Sequence, residues 1–123
     1  MLVKSHRDLE VYKLAFAAAL QVADMVVGFP QCEIYSMSDQ VKRSSRSVCA
    51  NIAEAFRKRK YPKHFISKLS DSEAEAAETQ TWLEFALAHK YISEDVFKKL
   101  DDQYDHILSM IVKMQNGAAN WRI

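Results

Sequence analysis

Tyr35–Lys68 reads YSMSDQVKRSSRSVCANIAEAFRKRKYPKHFISK. Within it Met37, Val41, Ser44 or Ser45, Val48, Ile52 and Phe56 recur at steps of three and four. That period places them on one face of a helix and predicts a helix over 36–59. Ser36 or Ser38 can open it, and Asp39 suits its positive end. The small residues Ser44, Ser45, Ser47, Ala50, Ala53 and Ala55 permit a neighbouring helix to approach closely, although serine weakens a helix slightly. Pro62 then halts the pattern and suits the first turn of a new helix. The next stripe, Phe65, Leu69, Ser72, Ala76, Thr79, Leu83 and Ala86, alternates four and three and predicts a helix over 62–90. So short a connection makes the two helices antiparallel neighbours.

Working outward, the first helix spans about 8–28, with Asp8 as its cap. Leu9, Tyr12, Phe16, Leu20, Ala23 and Val27 form its main stripe, widened by Val11, Ala15, Ala18, Val22, Met25 and Val26. A helix so apolar must be central or must also serve an oligomer interface. Gly28 and Pro30 end it. Ser93 with Glu94 and Asp95 opens a fourth helix over about 93–116, whose stripe is Phe97, Leu100, Tyr104, Ile107, Ile111 and Met114. The tail from Ala118 to Ile123 is expected to be poorly ordered unless Trp121 docks. The fold class is all-α, an antiparallel up-and-down four-helix bundle of one domain over 1–123. Only two Gly and two Pro argue against a turn-rich β-sandwich.

Charge is arranged in blocks. The 123-residue chain carries 17 Lys and Arg against 16 Asp and Glu, a net +1. Yet Lys42, Arg43, Arg46, Arg57, Lys58, Arg59, Lys60, Lys63 and Lys68 crowd the stretch quoted above, with only Asp39 and Glu54 opposing them. From Asp71 to Asp105 acids dominate, ten against three bases. Cations at a helix end interact with its free carbonyls, which accounts for one or two of Arg57, Lys58, Arg59 and Lys60. Four in succession exceed that need. The opposed blocks can pair within the bundle, pair between copies, or present a positive surface to phosphate.

No catalytic constellation is present. A di-iron bundle needs Glu-x-x-His on two helices, and none of His6, His64, His89 or His106 has Glu three positions before it. Asp102 and His106 are one turn apart and read as a surface pair. Cys32 and Cys49 lack CxxC spacing and read as reduced thiols of a cytoplasmic protein. No phosphate-binding glycine motif is present. No cofactor, metal or membrane association is expected: the N-terminus is charged where a secretory leader is apolar, and Leu14–Phe29 is too short and polar to span a bilayer. Glu75 and Glu78 share a face beside the apolar stripe and call for cationic partners. Arg43 and Arg57 are the candidates, so Arg43, Glu54, Glu75 and Glu78 are expected to form a structural ion-pair network.

The same residues carry a family likeness. Gln40-x-x-Arg43, Ser47, Asn51-Ile52-Ala53-Glu54 and Arg57 are followed by Phe65, Leu69 and Glu75-x-x-Glu78-Thr79-x-x-Trp82-Leu83. Phe29-Pro30, Glu33 and Tyr35 lie upstream. From about Leu9 to Met114 the chain resembles the small bacterial four-helix bundle proteins encoded by intervening sequences in 23S rRNA genes. It is also similar to the accessory protein of diversity-generating retroelements. The resemblance implies a ring-shaped homopentamer without enzymatic activity and, for the retroelement relatives, nucleic-acid binding and contact with a reverse transcriptase. Ala55 stands where the family pattern usually has Gly. The near-neutral charge departs from the strongly basic retroelement proteins, which argues against the retroelement role and leaves general RNA or DNA binding open.

Two readings of the basic block follow. In the first, Lys42, Arg46, Arg57, Lys58, Arg59, Lys60 and Lys63 bind nucleic-acid phosphates, with Tyr61 able to stack on an unpaired base. In the second, the block meets an acidic protein surface and the chain is an interaction scaffold.

Overall fold

Four helices carry the chain: α1 (Glu10–Val26), α2 (Met37–Arg57), α3 (Pro62–Ala88) and α4 (Glu94–Asn116). The computed structural model describes residues 3–121. Each helix packs on its neighbour in sequence and α4 closes back on α1, giving an up-and-down four-helix bundle. There is no strand among the described residues, and none of their helices is long and apolar enough to cross a membrane.

The stripes of α2 and α3 face the core as the spacing predicts. Met37, Val41, Val48, Ile52 and Phe56 are buried from α2, and all seven members of the α3 stripe are buried. Small polar residues let these two helices approach. The Ser44 and Thr79 hydroxyls bond each other at 2.8 Å, and each also has a carbonyl of its own helix in reach, Val41 at 3.3 Å for Ser44 and Glu75 at 2.9 Å for Thr79, so one hydroxyl donates across the seam and the other to its helix. Ser72 donates to the Val48 carbonyl at 2.8 Å. The hydroxyls of Ser44, Ser72 and Thr79 are thereby satisfied, as burial in the seam requires. Ala55, where the family pattern has Gly, is fully buried on α2. Alanine favours the helix there by about 1 kcal/mol over glycine.

α1 is oriented opposite to the expectation. Val11, Ala15, Ala18 and Val22, the secondary set, are buried. Of the main stripe, Phe16 is 49%, Leu20 55% and Val27 84% exposed. Both faces are apolar, so periodicity cannot rank them. The face rich in alanine and valine goes inward, where small side chains allow close approach to α2 and α4.

The starts of α1 and α2 differ from expectation, while α3 opens at Pro62 and Ser93 caps α4 as expected, accepting from the Val96 N–H at 3.2 Å. Ser5, not Asp8, begins the helical path, capping a 3₁₀ turn at His6–Asp8. Asp8 reaches back to the backbone N–H groups of Lys4 and Ser5, at 3.0 and 3.1 Å, and Leu9 is extended before α1 begins. At α2 neither serine caps. Glu33, in the Gln31–Glu33 turn, accepts from Ser36 Oγ at 2.6 Å and from the Met37 N–H at 3.3 Å. Its other oxygen accepts from the Tyr91 hydroxyl at 2.9 Å, tying the first and third connections together. α3 ends in a Schellman motif: Tyr91 N–H donates to the Ala86 carbonyl at 2.8 Å and Lys90 N–H to Leu87 at 2.9 Å. Lys90 takes the left-handed position at φ 64°, which glycine would occupy at lower cost.

The opposite end gathers the N-terminal turn, the α2–α3 connection and the C-terminal turn Ala118–Trp121. Trp121 docks there, its ring 6.2 Å from that of Phe65, and Ala118 is buried. Residues 122 and 123 of the predicted tail lie outside the described residues.

Candidate nucleic-acid interface

The basic junction is a turn between two helix ends. α2 stops at Arg57, and Tyr61 N–H donates to the Lys58 carbonyl at 2.9 Å, closing the turn. Pro62 opens α3, which has no side-chain cap and no acid in its first turn. The positive end of the α3 dipole therefore adds to the lysines around it rather than being cancelled. Arg57, Lys58, Lys60, Tyr61 and Lys63 are all exposed. Among the described residues none of these four cations forms an ion pair. Arg59 is used differently. Its guanidinium lies 4.0 Å above the Phe56 ring centroid and its Nη1 donates to the Phe56 carbonyl at 2.9 Å. It serves the end of α2, as capping chemistry predicts for one member of the run.

The fold brings further cations to this end. Lys4 and Arg7 lie on the N-terminal segment, and His6 lines a shallow hollow with Arg57 and Lys58. Partial burial first, then the charges of Arg7 and Arg57, hold the His6 imidazole below its usual pKa. Glu54 lines the same hollow, but its carboxylate is met by Lys68 Nζ at 3.1 Å. Lys4 and Arg7 belong to this end only through topology. The Ser5-x-x-Asp8 capping pattern was the available signal, since it places a turn rather than a frayed tail before α1.

Lys42 and Arg46 are not part of this cluster. Arg46 precedes Arg57 by three helical turns, about 16 Å along α2. Lys42 and Arg46 line a hollow beside Val27 and Ile34, and Arg46 also rims an adjoining groove between α1 and α2. That groove, about 440 Å³, is floored by Phe16, Leu20, Ala50 and Ala53 and is nearly all apolar. The candidate cations thus divide into a polar end and an apolar groove with basic edges.

The expected ion-pair network is rearranged. Arg43 Nη1 lies 3.8 Å from Asp39 on its own helix and is largely exposed. Glu54 pairs with Lys68, and Glu78 accepts from the Trp82 indole at 3.2 Å. Among the described residues, no ion pair joins Arg43, Glu54, Glu75 and Glu78 to one another. The reason is the α2–α3 seam: Ser44, Thr79 and Ser72 occupy the contact, leaving Arg43 on an outer face. Glu75 is left half-buried, and desolvation, then Glu78 and Asp71, push its pKa up.

On α4, Asp101, Asp102 and Asp105 bring carboxylate oxygens within 4.8 Å of one another. Desolvation and then Asp105 raise the pKa of Asp101, while Gln80 donates to Asp105 at 2.8 Å. His106 is exposed and is not among these clustered groups. Cys32 is exposed and Cys49 buried, both free thiols. Burial pushes the Cys49 thiol up to about 11, which makes it a poor nucleophile.

The sequence profile of the 23S rRNA-intervening sequence protein family matches residues 7–113. No curated protein matches the chain. Among solved structures, the chain is similar to a protein of unknown function from the S23 ribosomal protein family of Bacteroides thetaiotaomicron VPI-5482. The two share 26% identity and superpose with a TM-score of 0.76, covering 85% of this chain and 97% of the other. The profile match spans all four helices and both ends of the basic turn.

Proposed function

We propose, from the premise that this chain belongs to the 23S rRNA-intervening sequence protein family, that it is a non-enzymatic, self-associating bundle that binds nucleic acid through its basic end. One observation carries the reading. Lys4, Arg7, Arg57, Lys58, Lys60 and Lys63 collect at one end of the bundle and form no ion pair among the described residues. Holding like charges together costs electrostatic energy, and phosphate relieves it by releasing condensed counterions. The cations sit on helix ends and a turn, so they contact the backbone of a nucleic acid rather than reading base edges. The reading places the protein in the cytoplasm, where both thiols stay reduced.

The apolar groove between α1 and α2 supports self-association. Its Phe16 and Leu20 are exposed among the described residues, and its basic rim complements the acidic α4 cluster of another copy. A face that meets a different face of the next copy generates a ring, consistent with the homopentamer that the family resemblance implies. Repetition of a weak site around such a ring raises affinity by avidity.

The acidic α4 cluster also favours a second reading, in which the basic end meets an acidic protein surface and the chain is an interaction scaffold. A salt titration separates the two. Labelled RNA and DNA should bind at low salt, with log K falling linearly against log salt. Replacing Arg57, Lys58, Lys60 and Lys63 with Ala should flatten that slope and weaken binding at least tenfold. Absence of binding at 20 mM salt, as a rough lower setting, overturns the nucleic-acid reading and leaves the scaffold.

A further inference from the structure

The basic end carries an aromatic ring whose placement is not explained by the fold. Tyr61 is 59% exposed where the turn meets α3. Its backbone is fixed on both sides: the N–H donates to Lys58, the carbonyl accepts from Phe65 at 2.9 Å, and Pro62 follows it. Its one ring–ring contact among the described residues is with His64, at 6.0 Å between centroids and 87° between planes. The two rings are nearly perpendicular, so they do not stack face to face. Two other aromatics near the surface are committed elsewhere, and Tyr35, 95% exposed, lies in the α1–α2 connection at the opposite end of the bundle from the basic cluster. Tyr91 bonds Glu33 and stacks on His89, and the Trp82 indole bonds Glu78. Tyr61 is instead an exposed ring held on a rigid backbone, with Lys58, Lys60 and Lys63 beside it in sequence.

Resting on the nucleic-acid reading above, we propose that this end takes single-stranded rather than duplex nucleic acid, Tyr61 serving as the stacking platform for an unpaired base. The ring, not the charge, favours the single strand. The cations around the ends of α2 and α3 and the turn between them meet the phosphates of either form. An aromatic ring among lysines gains nothing from a duplex, whose base faces are already stacked. It gains fully from a single strand, where each base has a free face and the neighbouring lysines hold the phosphates. Stacking accepts any base, so the site should show little sequence preference. Tyr61 is a binding residue in this arrangement.

Fluorescence anisotropy tests it, using a labelled 12-nucleotide oligo-U and a labelled 12-base-pair RNA duplex of mixed sequence at low salt. Oligo-U should bind at least tenfold more tightly than the duplex. Tyr61→Ala should weaken oligo-U binding about tenfold with the salt slope unchanged, while Tyr61→Phe retains it. Circular dichroism should show both variants folded, since the ring is not in the core. Equal binding of both probes, or a Tyr61→Ala protein that binds oligo-U like the unmodified chain, overturns this inference and leaves the electrostatic reading intact. Failure of both probes to bind at low salt removes the electrostatic reading, and this inference with it.

Discussion

Two carboxylates of this chain, Glu33 and Glu75, respond to pH with opposite sign. The Ser36 hydroxyl first, then the Tyr91 hydroxyl and the Met37 N–H, donate to Glu33 and hold its pKa below the usual carboxylate value. A depressed pKa means that the folded state favours the charged form. Its stabilisation is present above the unfolded value and is lost as pH falls through the folded one. Glu75 is the reverse: desolvation, then Glu78 and Asp71, raise its pKa. As pH rises past the unfolded value the unfolded chain ionises first, so stability is lost until the folded pKa is passed. Glu33→Gln should therefore lower the melting temperature at pH 7, and Glu75→Gln should raise it. Both differences should shrink toward zero on acidification below the carboxylate range. Thermal melts across a pH series check this. A Glu75→Gln protein that melts lower at pH 7 would show that a cation meets this carboxylate in solution, restoring the ion-pair network expected from sequence.

At the scale of elements, the α2–α3 pair is where sequence spoke most clearly. α3 alternates four and three without a fault, and one face of it is polar, so its core face had a single solution. The same spacing on α1 failed, because hydrophobicity surrounds that helix and periodicity cannot choose between two apolar faces. Size decided: Ala15 and Ala18 went in, Phe16 and Leu20 stayed out. The Ser93 cap of α4 was readable, but the start of α2 was not, for a related reason. Glu33 reaches Tyr91 across 58 residues, and no local pattern announces that contact. The close α2–α3 approach makes a quantitative forecast. Ala76 is fully buried on the α3 stripe, and Ala76→Leu should overpack the core at a cost of about 1–3 kcal/mol. Ser72→Ala removes one hydrogen bond to a carbonyl and should cost about 1 kcal/mol. Urea unfolding at constant m-value would rank them, and the reverse order would mean that the bundle can open around α3 without strain.

For the whole molecule, the candidate site was half readable. Arg57 to Lys63 announced itself as charge beyond what a helix end needs. Lys42 and Arg46 were grouped with it by sequence proximity, yet a straight helix carries them away to the α1–α2 groove and the hollow adjoining it. Lys4 and Arg7, distant in sequence, arrive at the basic end because an up-and-down bundle returns its N-terminus there. The groove then poses its own question. Tyr12, Phe16 and Leu20 line it, exposed Val27 and Ile34 line the adjoining hollow that shares Ala23 and Arg46 with it, and an apolar patch of this kind marks an interaction surface. If a second copy covers it, the apparent mass must exceed the 14.1 kDa of one chain, reaching five copies for the ring implied by the family. Leu20→Glu places a charge in the middle of that surface without touching the core, since Leu20 is 55% exposed. Light scattering coupled to size exclusion should show the unmodified chain as a single large species and Leu20→Glu as a 14.1 kDa monomer, with helical content unchanged by circular dichroism. Because avidity depends on the ring, the monomer should also bind nucleic acid far more weakly although every cation of the basic end is intact. An unmodified chain that runs as a monomer would remove the assembly from the reading. A Leu20→Glu protein of undiminished mass would move the interface to another face of the bundle.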